Sequence, residues 1–439
     1  MLASSNPRAG VSRRDFARFL GAAAAAAPFG GAAAQTSSAK PRIVIAGAGA
    51  AGVSMASRLS RLLPGATITI VDARKEHLYQ PGFSLVAAGV YRASDVVDDT
   101  GRHLPRSVKW VQEFVAEFDP DGKSVTTTSG QKIGYDFLVV TTGLKLDFES
   151  VEGMDRNLIG REGIASVYAS PQSAAACFGQ VAQFYEKGGV GLFGRPRTEM
   201  KCAGAPLKFT MIAEDRARAA GKRQNAKFVY YTPFTNLFSV EPVHHRLLGI
   251  FKDRGIDAAY DHDLVAIDPV RKIAKFKTPV GQEEMQYDFI HLVPPQRAPD
   301  AIRNSPLPWR TGNLAADGWV ETNRDTMQHA RYPEIFVVGD IAGVPRGKTA
   351  ASVKWQAPVA AANLLSVVEG KPMRETYNGY TSCPMITAIG KAMLIEFDYA
   401  GKLTPSFPFI DPLQENWIAW AMKEQALKPM YYAMLGGRV

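Results

Sequence analysis

Cysteines stand at positions 177, 202 and 383 of the 439 residues. Cys202 lies in MKCAGAP, just ahead of the helix-forming stretch APLKFTMIAEDRARAAG, and Cys383 lies in GYTSCPMIT. A thiol at the head of a helix is drawn toward the reactive thiolate by the helix dipole. Cys202 and Cys383 are far apart in sequence, so only folding can bring them together. On spacing alone a redox pair, a structural disulfide and two separate buried thiols all stay open. Three cysteines allow one bridge and one thiol left over. No CxxC, CxxH or HxxxH pattern occurs, so no metal site is expected. Histidines 77, 103, 244, 245, 262, 291 and 329 are scattered and read as surface or capping residues. Glu199, three residues before Cys202, is a candidate base, although a lone glutamate there reads more simply as a solvated loop residue.

The elements that would position this chemistry begin with a nucleotide cradle. Arg42 to Ala46 is a short β-branched run, hence a buried strand. Gly47-Ala48-Gly49-Ala50-Ala51-Gly52 fits the glycine turn G-x-G-x-x-G. A helical stretch, VSMASRLSRLL, follows, and then a second strand ending at Asp72. Gly47, Gly49 and Gly52 let the backbone, with Ala50 and Ala51, approach a pyrophosphate at the helix start, and Asp72 would hold a ribose hydroxyl. Two later strands end in Thr142-Gly143 and in Gly339-Asp340. Together the three segments resemble the fingerprints of two-dinucleotide-domain flavoproteins. That resemblance implies FAD, with Asp340 at its ribityl chain. A second glycine pattern, Gly189 to Gly194, has its apolar residues inside the pattern. Pro196 follows, and no acid ends the next strand, so a nicotinamide nucleotide is not expected there.

Residues 1–34 read as an export signal. Ser12-Arg13-Arg14-Asp15-Phe16 is a twin-arginine pattern, an alanine-rich apolar stretch follows, and Ala32-Ala33-Ala34 precedes a cleavage point. The expected location is the periplasmic face of the inner membrane. Removing the signal lowers the net charge from +9 to +6. No compact basic run with interleaved aromatics occurs, so nucleic acid is not an expected partner.

The contexts KCAGAP and YTSCP resemble sulfide:quinone oxidoreductases, specifically the branch that includes the mitochondrial enzymes. So do HLVPPQRAPDAIRNSPL, DGWVETNRDTMQHARYPEIFVVGDIAGVPRGKTAA and YNGYTSCPMITAIGKAMLIEFDYAGK. The resemblance covers nearly all of the chain after the signal. It implies that Cys202 and Cys383 flank the flavin ring and form the redox pair attacked by hydrosulfide. It also implies that Lys348, at the start of a helix, stabilises the reduced cofactor, and that electrons leave to ubiquinone or menaquinone. The sulfur acceptor and any homo-oligomer are left open. Cys177 matches no position of that family. Alternatives are the flavin subunit of a flavocytochrome c sulfide dehydrogenase and a type II NADH:quinone dehydrogenase.

The expected fold class is α/β: two Rossmann-like dinucleotide-binding domains, the FAD domain split by an inserted second domain, plus a C-terminal membrane-associating region. The expected boundaries are 1–34 signal, 41–152 and 301–375 FAD domain, 153–300 inserted domain without a nicotinamide site, and 376–439 C-terminal region. Phe397, Tyr399, Phe407 and Phe409 are candidates to line a flat quinone slot. LQENWIAWAMKEQALKPMYYAMLGG, rich in tryptophan, methionine and tyrosine and interrupted by Pro429, reads as short helices lying in a membrane interface.

Overall fold

A computed structural model describes residues 36–439. The export-signal reading of residues 1–34 lies outside the described residues.

The first sheet is parallel throughout. Strand β1 (Arg42–Ala46) is flanked by β2 (Thr67–Val71) and β4 (Phe137–Val140); β3 (Lys109–Val111) pairs beyond β2, and β10 (Ile335–Val337) beyond β4. Ile43, Val44 and Ile45 are buried. Continuous apolar strands of this kind suit a sheet covered on both faces. Helix α1 (Ala50–Leu62) follows β1 directly, so its first turn faces the carboxyl end of the sheet, where ligands of open parallel sheets bind.

The second sheet is also parallel, in the order β5 (Ile164–Ala165), β9 (Phe289–His291), β6 (Gly189–Gly194), β7 (Ala226–Tyr231), β8 (Ile256–Ala259). Helices α2 (Pro171–Lys187), α3 (Ala205–Ala219) and α4 (Glu241–Arg254) connect its strands. The second glycine pattern forms strand β6 itself. A Cβ at Gly191 would meet the Phe184 ring at 2.5 Å, and one at Gly194 would meet Tyr231 at 2.4 Å. These glycines therefore admit neighbouring aromatic rings, not a phosphate.

Helix α5 (Ala350–Val368) returns along the first domain, capped by the Thr349 hydroxyl. The C-terminal region is an antiparallel hairpin, β11 (Thr381–Ala388) and β12 (Lys391–Phe397). Helix α6 (Trp417–Ala421), a wide turn over Met422–Ala426 and helix α7 (Leu427–Leu435) follow. Pro429 does not end the helical run, which is unbroken from Trp417 to Leu435: it stands just past the wide turn, where the Glu424 carbonyl accepts from the Tyr91 hydroxyl. Among the described residues no helix is long and apolar enough to cross a membrane.

Candidate functional site

The carboxyl ends of the first sheet open into a cavity of about 1180 Å³, lined also by the Cys202 loop, the hairpin and α7. At one end the glycine turn makes a cradle. The Ala48 N–H donates to the Asp72 carboxylate at 2.8 Å, and Thr141 Oγ1 donates to the carbonyls of Ala46 and Gly47. A Cβ at Gly52 would lie 1.8 Å from the Gly47 oxygen, so that glycine permits the helix to meet the turn. A Cβ at Gly49 would meet nothing within 4 Å. Gly49 thus borders open space beside the unpaired N–H groups at the start of α1, where a pyrophosphate would be held. Gly143 also borders open space, at φ +69°. The Thr142 hydroxyl and the Gln356 amide nitrogen are buried without a partner, while the Gln356 oxygen accepts from the Gly339 N–H at 2.9 Å. This open, glycine-walled space with unsatisfied donors fits a dinucleotide such as FAD.

Burial works to raise the Asp72 carboxyl, but the Arg74 guanidinium at 2.8 Å and the Ala48 and Arg74 N–H groups outweigh it and hold it below its ordinary range. Asp340 is different. Burial dominates and raises its carboxyl, with Lys348 opposing.

Cys202 lines the cavity, and Cys383 meets it from the face of the hairpin turned away from the cavity. Cys202 sits in the left-handed region, at φ 52°, in the turn before α3. Its N–H donates to the Lys348 carbonyl at 2.9 Å, and its own carbonyl accepts from Ala205. Cys383 projects from β11 toward Gly204, where a Cβ would lie 2.6 Å from its sulfur. The glycine between the two cysteines' elements is therefore a clearance. The thiols are within hydrogen-bonding reach of each other, and the buried Lys208 ammonium lies 3.3 Å from the Cys202 sulfur. The Cys383 hydrogen bond, opposed by burial and assisted by Lys208, drives Cys202 well below the ordinary thiol range. The same contact, with burial, drives Cys383 well above it. One thiolate and one thiol is the favoured state of the pair. The charge partner of the thiolate is Lys208, beside the helix start noted from sequence. Cys177 is fully buried in α2, and burial pushes its thiol up to about 12. Glu199 is exposed.

Lys348 is buried beneath the cavity floor rather than solvated. Its ammonium donates to the carbonyls of Asp340 (2.6 Å) and Ala342 (3.1 Å) and sits 3.6 Å over the Trp319 ring. Burial pushes it down to about 8. Three other lysines at the cavity escape sequence reasoning. Lys201 donates to Gln80 at 2.7 Å and is brought to about 8 by burial. Lys423 donates to the Pro81 carbonyl; burial, and then Lys208, bring it to about 7. The third is Lys208, whose signal was a charge inside an otherwise apolar helical face, since α3 is buried from Ala205 through Glu214. His77 also lines the cavity, hydrogen-bonded to the Tyr431 hydroxyl at 2.7 Å.

Three of the four aromatic quinone candidates do not line the cavity. Strand β12 alternates, so Leu394 and Glu396 face the cavity while Ile395 and Phe397 face away. Phe397 instead meets Phe238 edge-on at 5.8 Å. Tyr399, past the strand end, packs on Tyr377 and donates to the Arg324 carbonyl. Phe407 does line the cavity, and Phe409, 65% exposed, packs edge-on against it at 5.9 Å. Among the described residues no group of three or more His, Cys, Asp or Glu is placed to hold a metal ion.

Residues 41–173 match the family model of pyridine nucleotide-disulphide oxidoreductases. The chain is 36% identical over 399 residues to the mitochondrial sulfide:quinone oxidoreductase of Dictyostelium discoideum, covering 90% of this chain and 86% of that one. It is 32% identical over 396 residues to the mouse mitochondrial enzyme of the same name, with the same coverage. The fold is similar to the crystal structure of the sulfide:quinone oxidoreductase from Aquifex aeolicus, with a TM-score of 0.75, 23% identity, and 91% and 92% of the two chains covered.

Proposed function

Because the chain belongs to the sulfide:quinone oxidoreductase family, we propose that it oxidises sulfide to sulfane sulfur with FAD as cofactor and quinone as electron acceptor, through Cys202 and Cys383. The observation that carries this reading is the convergence of two sequence-distant sulfurs and a buried ammonium beside a dinucleotide cradle. The nicotinamide-linked rival has no comparable feature in its favour. A nicotinamide-linked enzyme needs a second glycine turn, and here that pattern is a strand packed on Phe184 and Tyr231.

The residues divide the work as follows. In the oxidised pair, hydrosulfide attacks the Cys383 sulfur. A bond forms between the incoming sulfur and Cys383, the bond to Cys202 breaks, and its electron pair stays on Cys202 as thiolate. The products are a Cys383 persulfide, which keeps the proton of hydrosulfide, and a Cys202 thiolate. The Lys208 ammonium stabilises the charge as it develops on the leaving sulfur. Lys201 and Lys423 add positive potential that favours an anionic substrate in the cavity. Gly49, Ala50, Ala51, Thr142, Gly143, Gly339 and Asp340 would hold FAD, with Asp72 at its ribose. When bound, FAD supplies two-electron transfer between the thiol pair and the quinone. Lys348, fixed under the Asp340 loop, contributes positive charge there.

The finer location is also part of this reading. The twin arginines Arg13 and Arg14 favour export in a folded state and a periplasmic position. The partly exposed Trp417 and Met430, on α6 and α7, favour contact with a membrane interface, the place from which a lipid-dissolved quinone would enter.

The test is anaerobic mixing of the holoenzyme with sulfide, and separately with NADH, while the flavin absorbance is followed. Rapid bleaching by sulfide alone is expected. Bleaching by NADH alone would overturn the reading. Cys202→Ser and Cys383→Ser should each abolish sulfide-driven bleaching.

A further inference from the structure

Oxidation of hydrosulfide to sulfane sulfur releases two electrons and one proton. Reduction of a quinone to its quinol consumes two electrons and two protons. On the reading above, each turnover therefore draws one proton from outside the reacting molecules, and a path must carry it to a quinone oxygen in an apolar cavity.

One polar cluster in the cavity wall meets that need. Glu396 is 4% exposed on β12, a strand otherwise apolar from Ala392 to Phe397, and it faces the cavity. Its Oε1 accepts from the Tyr380 hydroxyl and, at 2.7 Å, from Ser406 Oγ; its Oε2 accepts from the Ser406 N–H at 2.7 Å. Tyr380 also lines the cavity, its ring 5.2 Å from that of Trp355. Ser406 is exposed to solvent. Ser406, Glu396 and Tyr380 thus form a continuous hydrogen-bonded line from the solvent-exposed Ser406 into the cavity. The line runs on the face of the hairpin opposite Cys383, so β11 separates it from the sulfur chemistry. A carboxylate buried in an apolar strand is costly unless it is paired or used. The Thr404 N–H already ties this loop to the Glu396 backbone at 2.9 Å, so pinning the loop does not require the acid.

We propose that Tyr380 donates a proton to a quinone oxygen at the end of the cavity lined by Trp355 and Phe407, and that Glu396 restores it from water at Ser406. The quinone takes two electrons and two protons. One proton passes from the Tyr380 hydroxyl; the Glu396 carboxylate takes up a proton from solvent at Ser406, hands it to the phenolate and returns to carboxylate. The second proton also comes from solvent, and over the full cycle it is balanced by the proton released when the Cys383 persulfide gives up its outer sulfur. Tyr380 is the group that touches the quinone, and Glu396 acts through it.

The test uses holoenzyme carrying Tyr380→Phe or Glu396→Gln. Each is reduced anaerobically with sulfide, then mixed with decylubiquinone in H2O and in D2O, and separately with ferricyanide, which accepts electrons without protons. Bleaching by sulfide and reoxidation by ferricyanide are expected at wild-type rates. Reoxidation by decylubiquinone is expected to fall about 100-fold, with a changed solvent isotope effect, as for loss of a positioned acid. Wild-type quinone rates and isotope effects in Tyr380→Phe would overturn the proposal, and so would an equal loss in all three reactions, which marks a structural role. A wild-type enzyme reoxidised by ferricyanide but not by the quinone would overturn the family reading itself, and the relay with it.

Discussion

Replacing Lys208 by methionine removes the ammonium 3.3 Å from the Cys202 sulfur while keeping an unbranched side chain of similar length in the buried face of α3. A hydrogen bond to a charged group contributes roughly 1.5–3 kcal/mol, and each 1.36 kcal/mol is a factor of ten in the thiolate population at fixed pH. Coulomb's law at an effective dielectric of about 20 gives roughly 5 kcal/mol for a pair this close, an upper limit before desolvation is subtracted. The smaller figure governs, because desolvation of two buried charges offsets most of the Coulomb attraction. Alkylation of the reduced protein by iodoacetamide at a pH below the titration of Cys202 should therefore slow by roughly 10- to 100-fold. The modification is assigned by intact and peptide mass in a Cys177→Ser background. Sulfide-driven bleaching should slow in parallel. An alkylation rate equal to that of the parent would refute the assignment of Lys208 as the thiolate's charge partner, whatever happened to turnover.

The two glycines of the cradle should separate binding from folding. Gly49→Val puts a side chain into open space, so the protein should fold at its usual melting temperature but purify with little FAD, read as the flavin-to-protein absorbance ratio. Gly52→Ala drives a Cβ against the Gly47 carbonyl and should cost about 1–3 kcal/mol in a denaturant titration. Phe397→Ala, which empties a site away from the cavity, should cost about 3–5 kcal/mol of stability yet leave the KM for quinone unchanged. Lys423 is depressed to about 7, and Lys201 and Lys348 to about 8. Between those values and the ordinary lysine range the unfolded chain binds more protons, so thermal stability should rise with pH from about 7 upward. Lys423→Met should flatten part of that rise in a melting series.

The cradle is legible in the sequence because its signals are local: β-branched strand, glycine turn, helix and terminal acid follow one another within Arg42 to Asp72. The second glycine pattern reads as a strand for the same reason, since its own apolar residues and Pro196 fix the register. The meeting of Cys202 with Cys383 is not local, and spacing alone left it open; only the family resemblance pointed to it. Lys201 and Lys423 carry no signal, because an isolated lysine in a mixed segment reads as solvated until a cavity closes around it. Of the aromatic candidates, Phe397 is turned away by the strand period. Phe397 follows Glu396, so any register that turns the acid toward the cavity turns the ring away.

Cys202 holds a left-handed backbone, a conformation that costs an L-residue with a side chain of the order of 1 kcal/mol and a glycine almost nothing. The fold would therefore be sturdier with glycine at this position and chemically inert. A search for heat-tolerant descendants of this protein, if it scored survival alone, would tend to erase the sulfur on which turnover depends.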